Sequence, residues 1–154
     1  MNQKHLEVRI NQLVSLAKAS TCPRGKVAAM LIDPTRNTII ADGYNGPPRG
    51  PDPLCGGLVC DRNIQQVSSG TKIEVGCHHA EMNVICNAAA NGTSTRGTVM
   101  LTNVVPCLMC AKLIHHSGIV KVITIANSYP GGNAGIVYLN KVNIPVEQIS
   151  LEKT

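Results

Sequence analysis

A histidine, a glutamate and two cysteines carry the clearest chemistry in this sequence. They lie in two short runs, Cys77-His78-His79-Ala80-Glu81-Met82-Asn83 and Val105-Pro106-Cys107-Leu108-Met109-Cys110, separated by one strand's worth of chain. One imidazole and two thiolates are good zinc ligands, and three protein ligands leave a tetrahedral ion one position for water, as in catalytic rather than structural sites. Zinc lowers the pKa of such a water to about 7, so hydroxide is available at neutral pH. Of the two neighbouring histidines, His79 stands directly before Ala-Glu and is taken as the ligand with Cys107 and Cys110. Glu81, two residues past His79 and not itself a ligand, is placed to shuttle the proton. A lone Cys-x-x-Cys could be a redox pair, and a first-turn carboxylate is commonly just solvated. The two runs together, in this order and each opening a helix, specify a metal centre with a general acid/base.

The elements that must position these groups follow from periodicity. Residues 3–19 repeat Leu6, Ile10, Leu13, Val14 and Ala17 at helical spacing. Val27 to Ile32 is a continuous apolar run expected of a buried strand, Asp33 to Asn37 has turn chemistry, and Thr38 to Gly43 returns as the second strand of a hairpin. A second helix starts at His79 and stops at Asn91-Gly92. Thr98 to Val104 reads as a strand. A third helix carries Cys107 and Cys110 on one face, opens with Pro106 in its first turn and ends near Ser117-Gly118. Strand 119–126, helix 134–141 and strand 145–149 complete the order. Strand–helix–strand alternation after residue 79 implies parallel pairing with right-handed crossovers. The expected architecture is α/β, a three-layer α/β/α sandwich on a mixed five-stranded sheet, with the metal at the strand ends where helix N-termini gather. Cys86, about 10 Å along the helix from His79 at 1.5 Å per residue, is too far to reach that metal and reads as a core cysteine.

Length and composition set the class. The 154 residues make one domain, with 44% hydrophobic residues and a formal net charge of +5. No apolar run approaches a membrane span and no basic-then-apolar leader is present, so the expectation is a cytoplasmic protein without membrane contact. The seven cysteines are odd in number, and two look like metal ligands. Metal binding in a reducing compartment is therefore the better reading than a disulfide framework. The positive charge suits phosphorylated small molecules. With no Phe, no Trp and three Tyr, the chain lacks the stacking platforms of single-strand binders, so a nucleic-acid polymer is not expected as a partner.

His-x-Glu followed by Pro-Cys-x-x-Cys, in this order of elements, resembles the cytidine deaminase-like superfamily over nearly the whole chain. Three runs make the chain similar, more narrowly, to the deoxycytidylate (dCMP) deaminases: Arg24-Gly25-Lys26-Val27-Ala28-Ala29, Gly43-Tyr44-Asn45-Gly46-Pro47-Pro48-Arg49-Gly50, and His79 to Ile85. The resemblance implies zinc-dependent hydrolysis of the 4-amino group of dCMP to dUMP and ammonia. It also implies control by dCTP and dTTP, a homo-oligomer, often a hexamer, and an effector segment at Tyr44, Asn45, Gly46 and Arg49. Arg24 and Lys26 are the candidates for the substrate phosphate, a pair of cations beside a glycine, although a plain basic loop is the equal alternative. Asn45 is the candidate for sugar or phosphate, and Tyr129 for covering the base. Some dCMP deaminases of this type carry a second zinc. Here Cys22, Cys55, Cys60 and Cys77 would hold it, with His78 as the alternative to Cys60, stapling a loop insertion at about residues 44–77 that has little apolar surface of its own. Other small-molecule deaminases, acting on dCTP, cytidine or guanine, share the zinc signature and are the main competing reading.

Overall fold

The computed structural model describes residues 1–47, 60–71, 75–125 and 132–150. Its elements run α1 (Gln3–Ala17), β1 (Ala28–Asp33), β2 (Thr38–Tyr44), α2 (Asp61–Ile64), α3 (Ala80–Ala90), β3 (Val99–Thr102), α4 (Leu108–His116), β4 (Lys121–Thr124), α5 (Ala134–Lys141) and β5 (Val146–Gln148). The strands form one five-stranded sheet in the order β2-β1-β3-β4-β5. β1 is antiparallel to both β2 and β3, whereas β3, β4 and β5 are mutually parallel. This is the mixed sheet that the order of elements implied.

The two-residue pleat divides the core into two layers. Ala29 and Leu31 of β1, Met100 of β3 and Val122 of β4 point to the face covered by α3, α4 and α5, where they pack with Val84, Ala88, Ile114 and Leu139. Ala28, Met30 and Ile32, with Val99, Leu101 and Ile123, point to the other face, where α1 contributes Ile10, Leu13 and Ala17. β1 is buried on both sides, so its near-continuous apolar run is explained by its central place in the sheet. Burial of a side chain such as Leu13 contributes about 1.5–3 kcal/mol, which is what holds α1 to the sheet.

Helix ends are closed by groups from outside the helices. Asn2 Oδ1 accepts the His5 N–H at 2.9 Å and caps α1. The last turn of α1 carries no basic residue of its own, but the Lys26 ammonium reaches back to the carbonyls of Lys18 at 3.3 Å and Ser20 at 2.8 Å. A cation there satisfies open carbonyls and complements the helix dipole.

Three elements end earlier than the runs that announced them. α1 stops at Ala17, β3 at Thr102 and β4 at Thr124. Beyond Thr102, Asn103 continues the join by its side chain: Oδ1 accepts from Ala28 N at 2.8 Å and Nδ2 donates to Lys26 O at 2.9 Å. The insertion read as irregular contains the short helix α2. Cys86, expected in the core, is exposed. The buried stripe of α3 is Ala80, Glu81, Val84 and Ala88, and position 86 falls on the opposite side of that helix.

Candidate active site

α3 and α4 both begin at the same place, and their first residues form the site. His79 is the N-cap of α3 and Cys107 the N-cap of α4. Pro106 therefore precedes the cap rather than occupying the first helical turn. The pair Cys107/Cys110 is N-cap and third helical residue, an arrangement that still puts both sulfurs on one side. Cys107 Sγ accepts the Cys110 N–H at 3.5 Å. His79 Nδ1 lies 3.6 Å from Cys107 Sγ and 3.5 Å from Cys110 Sγ. Among the described residues this is the one group of three or more candidate metal ligands whose donor atoms all lie within 4.8 Å of one another.

The donor set fits zinc in both chemistry and spacing. A tetrahedral ion with Zn–N near 2.05 Å and Zn–S near 2.3 Å spans nitrogen–sulfur edges of about 3.6 Å. The two observed edges have that length. Hydrogen bonds and charge within the group shift the three side chains apart. The hydrogen bond from Cys110 holds the Cys107 thiol down to about 4. Cys110, as the donor to Cys107 and buried besides, is pushed up. His79 is raised, chiefly by its hydrogen bond with Cys107.

Glu81 sits in the first turn of α3 with 2% of its surface exposed. Burial pushes its carboxyl up, opposed in part by its own backbone N–H, by His79 and by a hydrogen bond with Cys110. A buried carboxyl beside three metal-ligand atoms, with a pKa moved toward neutrality, is suited to taking and returning a proton.

Three contacts set where α3 begins. Gly46 and His78 form an isolated antiparallel bridge, with N–H···O distances of 3.3 and 2.9 Å. Asn83 Nδ2 donates to Tyr44 O and Asn87 Nδ2 to Asp42 O, each at 2.8 Å, so two amides one turn apart fasten α3 to edge strand β2. Gly43 permits the close approach, since a Cβ there would lie 2.8 Å from Val84 N. On the α4 side, a Cβ at Gly135 of α5 would collide with the Pro106 carbonyl, so α5 abuts the backbone just ahead of Cys107. Sequence reasoning passed over Asn83 and Asn87. Their spacing of four beside the buried stripe was the available signal.

The other candidates are placed as follows. Arg24 and Lys26 are engaged with protein oxygens: Arg24 Nη1 with Val67 O at 2.8 Å and Nη2 with Ser69 Oγ at 2.7 Å, and Lys26 with the end of α1. Asn45 is buried and uses its amide on the strand entrance, accepting from Val27 N at 2.8 Å and donating to Gly25 O at 2.9 Å. Tyr44 and Gly46 stand at the contacts just described, next to the His79 run. Of the second cysteine set, Cys60 is buried at the N-cap of α2, and Cys22 and Cys77 are half-buried. Cys55, Arg49 and Tyr129 lie outside the described residues.

Comparison with known proteins places this geometry in context. A sequence model described as the cytidine and deoxycytidylate deaminase zinc-binding region matches residues 3–126, a span that includes His79, Glu81, Cys107 and Cys110. The deoxycytidylate deaminase of Homo sapiens is 36% identical over 114 residues, covering 73% of this chain and 60% of that protein. The deoxycytidylate deaminase of Enterobacteria phage T2 is 32% identical, and the alignment covers 93% of this chain and 94% of that protein. The chain thus spans only 55–60% of the length of the Drosophila and human relatives it matches. Among solved structures, the dCMP deaminase of cyanophage S-TIM5 in complex with dCMP and dUMP superposes with a TM-score of 0.79 at 26% identity, covering 97% of this chain and 99% of that one.

Proposed function

The chain belongs to the cytidine and deoxycytidylate deaminase zinc-binding family, and from that premise we propose that it hydrolyses dCMP to dUMP and ammonia. The observation that carries the proposal is Glu81, buried within the one described group of metal ligands, where proton transfer at a pyrimidine requires a shielded acid/base. The phage T2 relative, matched over nearly its full length, and the cyanophage structure with dCMP and dUMP support the monophosphate as substrate.

His79, Cys107 and Cys110 would hold the zinc, which when bound supplies Lewis acidity and a nucleophile at neutral pH. Glu81 receives the proton from the attacking water and delivers it to N3 of the pyrimidine. The same carboxyl then takes the hydroxyl proton of the C4 adduct and passes it to the 4-amino nitrogen, so that ammonia leaves as the C4–N bond breaks and the C4–O bond becomes the carbonyl. Burial of Glu81 shields both transfers from bulk water. A panel of dCMP, dCTP, CMP, cytidine, deoxycytidine and guanine, read by ammonia release, tests the assignment. Preference for dCMP is expected, and preference for a nucleoside, a triphosphate or guanine overturns it.

The finer features belong to the same proposal. Regulation by dCTP and dTTP is assigned to Tyr44, Asn45, Gly46 and Arg49, supported by the Gly46–His78 bridge, which joins that segment to the run holding the metal ligand. A second, structural zinc is assigned to Cys22, Cys55, Cys60 and Cys77, with His78 as the alternative to Cys60, supported by the low apolar content of the segment it would staple. A homo-oligomer, with a hexamer as the expected state, completes the reading, and light scattering of the purified protein tests it. Phosphate contact by Arg24 and Lys26 requires both to exchange the oxygens they now hold. Their alternative role is to fasten loop and helix ends.

A further inference from the structure

We propose that Arg62 is a positioning residue for the metal ligand His79, acting through the backbone at Val75 and Gly76. The proposal rests on the zinc-site reading above and is independent of which pyrimidine is the substrate.

His79 cannot be oriented from within α3. It stands at the N-cap with extended backbone angles and makes no side-chain capping hydrogen bond, so the chain arriving from residues 75–78 must present the imidazole. Two contacts of that chain bear on the imidazole. The Gly46–His78 bridge is one. Arg62 is the other: its Nη1 donates to Val75 O at 3.2 Å, and its Nη2 donates to Ser68 O at 3.0 Å and Thr71 O at 3.2 Å. The stem of the side chain lies flush against Gly76, where a Cβ would come within 2.7 Å of Arg62 Cδ and 2.9 Å of Cγ. Gly76 also has φ +117°, which only glycine adopts readily. One side chain therefore fixes the backbone three residues before the ligand.

The fork shape of the group is what the arrangement uses. Three carbonyls converge on the planar guanidinium, a geometry that an ammonium reproduces poorly. α2 gives Arg62 its starting point but buries no residue and spans only four, so it does not hold itself. The loop is gripped again by Arg24, through Val67 O and Ser69 Oγ. Arg62 is thus the common point of α2, the 67–71 loop and the approach to His79.

The test compares zinc-loaded wild type, Arg62→Lys and Arg62→Ala as full chains. Zinc transfer to a chromogenic chelator gives a metal readout, loss of turnover during the challenge isolates the catalytic ion, and thermal midpoints report the fold. Residues supporting a metal ligand from outside typically change affinity or activity by 10–100-fold, and release from Arg62→Ala is expected to be about tenfold faster, with kcat lowered and KM for dCMP within about twofold. Arg62→Lys should fall between, and methylguanidinium should restore part of the loss in Arg62→Ala. Zinc release within about twofold of wild type in a folded variant overturns the proposal, as does a lowered thermal midpoint with unchanged release, the signature of a merely structural loop contact. If Arg62→Ala fails to fold, Arg62→Lys is judged by the same two readouts. A wild type that holds zinc but leaves dCMP untouched overturns the substrate reading alone, because the zinc-release comparison still decides the role of Arg62. A wild type that binds no zinc overturns both.

Discussion

Glu81 is 2% exposed in the first turn of α3, which opens on His79, so replacing its acid function without changing its shape isolates the chemistry. Glu81→Gln is expected to keep the fold and zinc content while turnover of dCMP falls by at least about 10²–10⁴-fold, the usual worth of a general acid/base, since one residue serves two proton transfers. Zinc analysis beside steady-state kinetics checks it, and near-normal turnover would sink the role. Arg24 invites a second substitution, because its present partners are a carbonyl and a hydroxyl of the 67–71 loop. If Arg24 exchanges them for phosphate, Arg24→Ala raises KM for dCMP and leaves the weak turnover of deoxycytidine unchanged. Equal losses on the two substrates, with a lower thermal midpoint, identify a loop fastener instead. At this scale the grouping of His79, Cys107 and Cys110 was legible because it is fixed by chemistry and spacing. The hydrogen bonds of Arg24, Lys26 and Asn45 were not, because a cation or an amide in a loop has the same sequence appearance whether it meets a ligand or a carbonyl.

Among the elements, α3 against β2 is the contact that sets the site, and Gly43 is where it is tightest. Gly43→Ala places a methyl 2.8 Å from Val84 N, with backbone rather than a flexible tip in the way. Overpacking of this kind costs about 1–3 kcal/mol, and at about 2–4 °C per kcal/mol for a domain of this size the thermal midpoint should fall by a few degrees or more. A midpoint equal to wild type by calorimetry would show that α3 can move away without loss. Hydrophobic periodicity found α1, α3, α4 and α5 and all five strands. It overran the ends of α1, β3 and β4, because residues such as Ile125 pack on the core beyond the last paired residue of the strand. It also missed α2, which buries nothing and is organised by one arginine. No periodic signal can announce such an element.

Over the whole molecule, the alternation of strands and helices after residue 79 implied the parallel half of the sheet, and the hairpin before it implied the antiparallel half. What the order alone leaves open is which strand of the hairpin joins the parallel half. The structure places β1 between β2 and β3, so one hydrogen-bonded surface joins the hairpin to the strands that lead into the α4 side of the site. A metal held by His79, Cys107 and Cys110 would therefore bridge two parts of the fold, with His79 following the hairpin and insertion and Cys107 following β3. Zinc removal by a chelator should lower the thermal midpoint, and readdition should restore it. A free zinc concentration 100 times the dissociation constant stabilises by about 2.7 kcal/mol, or very roughly 5–11 °C at the slope given above. A midpoint indifferent to zinc would mean that the ligands do not meet a common ion in solution.

Both metal-bearing helices open on residues that helices themselves would not choose. Ser, Asn and Asp are the favoured N-caps, yet α3 opens on His79 and α4 on Cys107, whose sulfur gives only a long 3.5 Å acceptor to Cys110 N–H. In the metal-free protein, Cys107→Ser should supply a shorter cap and raise stability by about 0.5 kcal/mol, even as it removes a zinc ligand. Evolution in a laboratory screen for heat resistance alone would accordingly drift at these two positions toward sequences that fold better and catalyse nothing, so any such library has to be selected on bound metal as well.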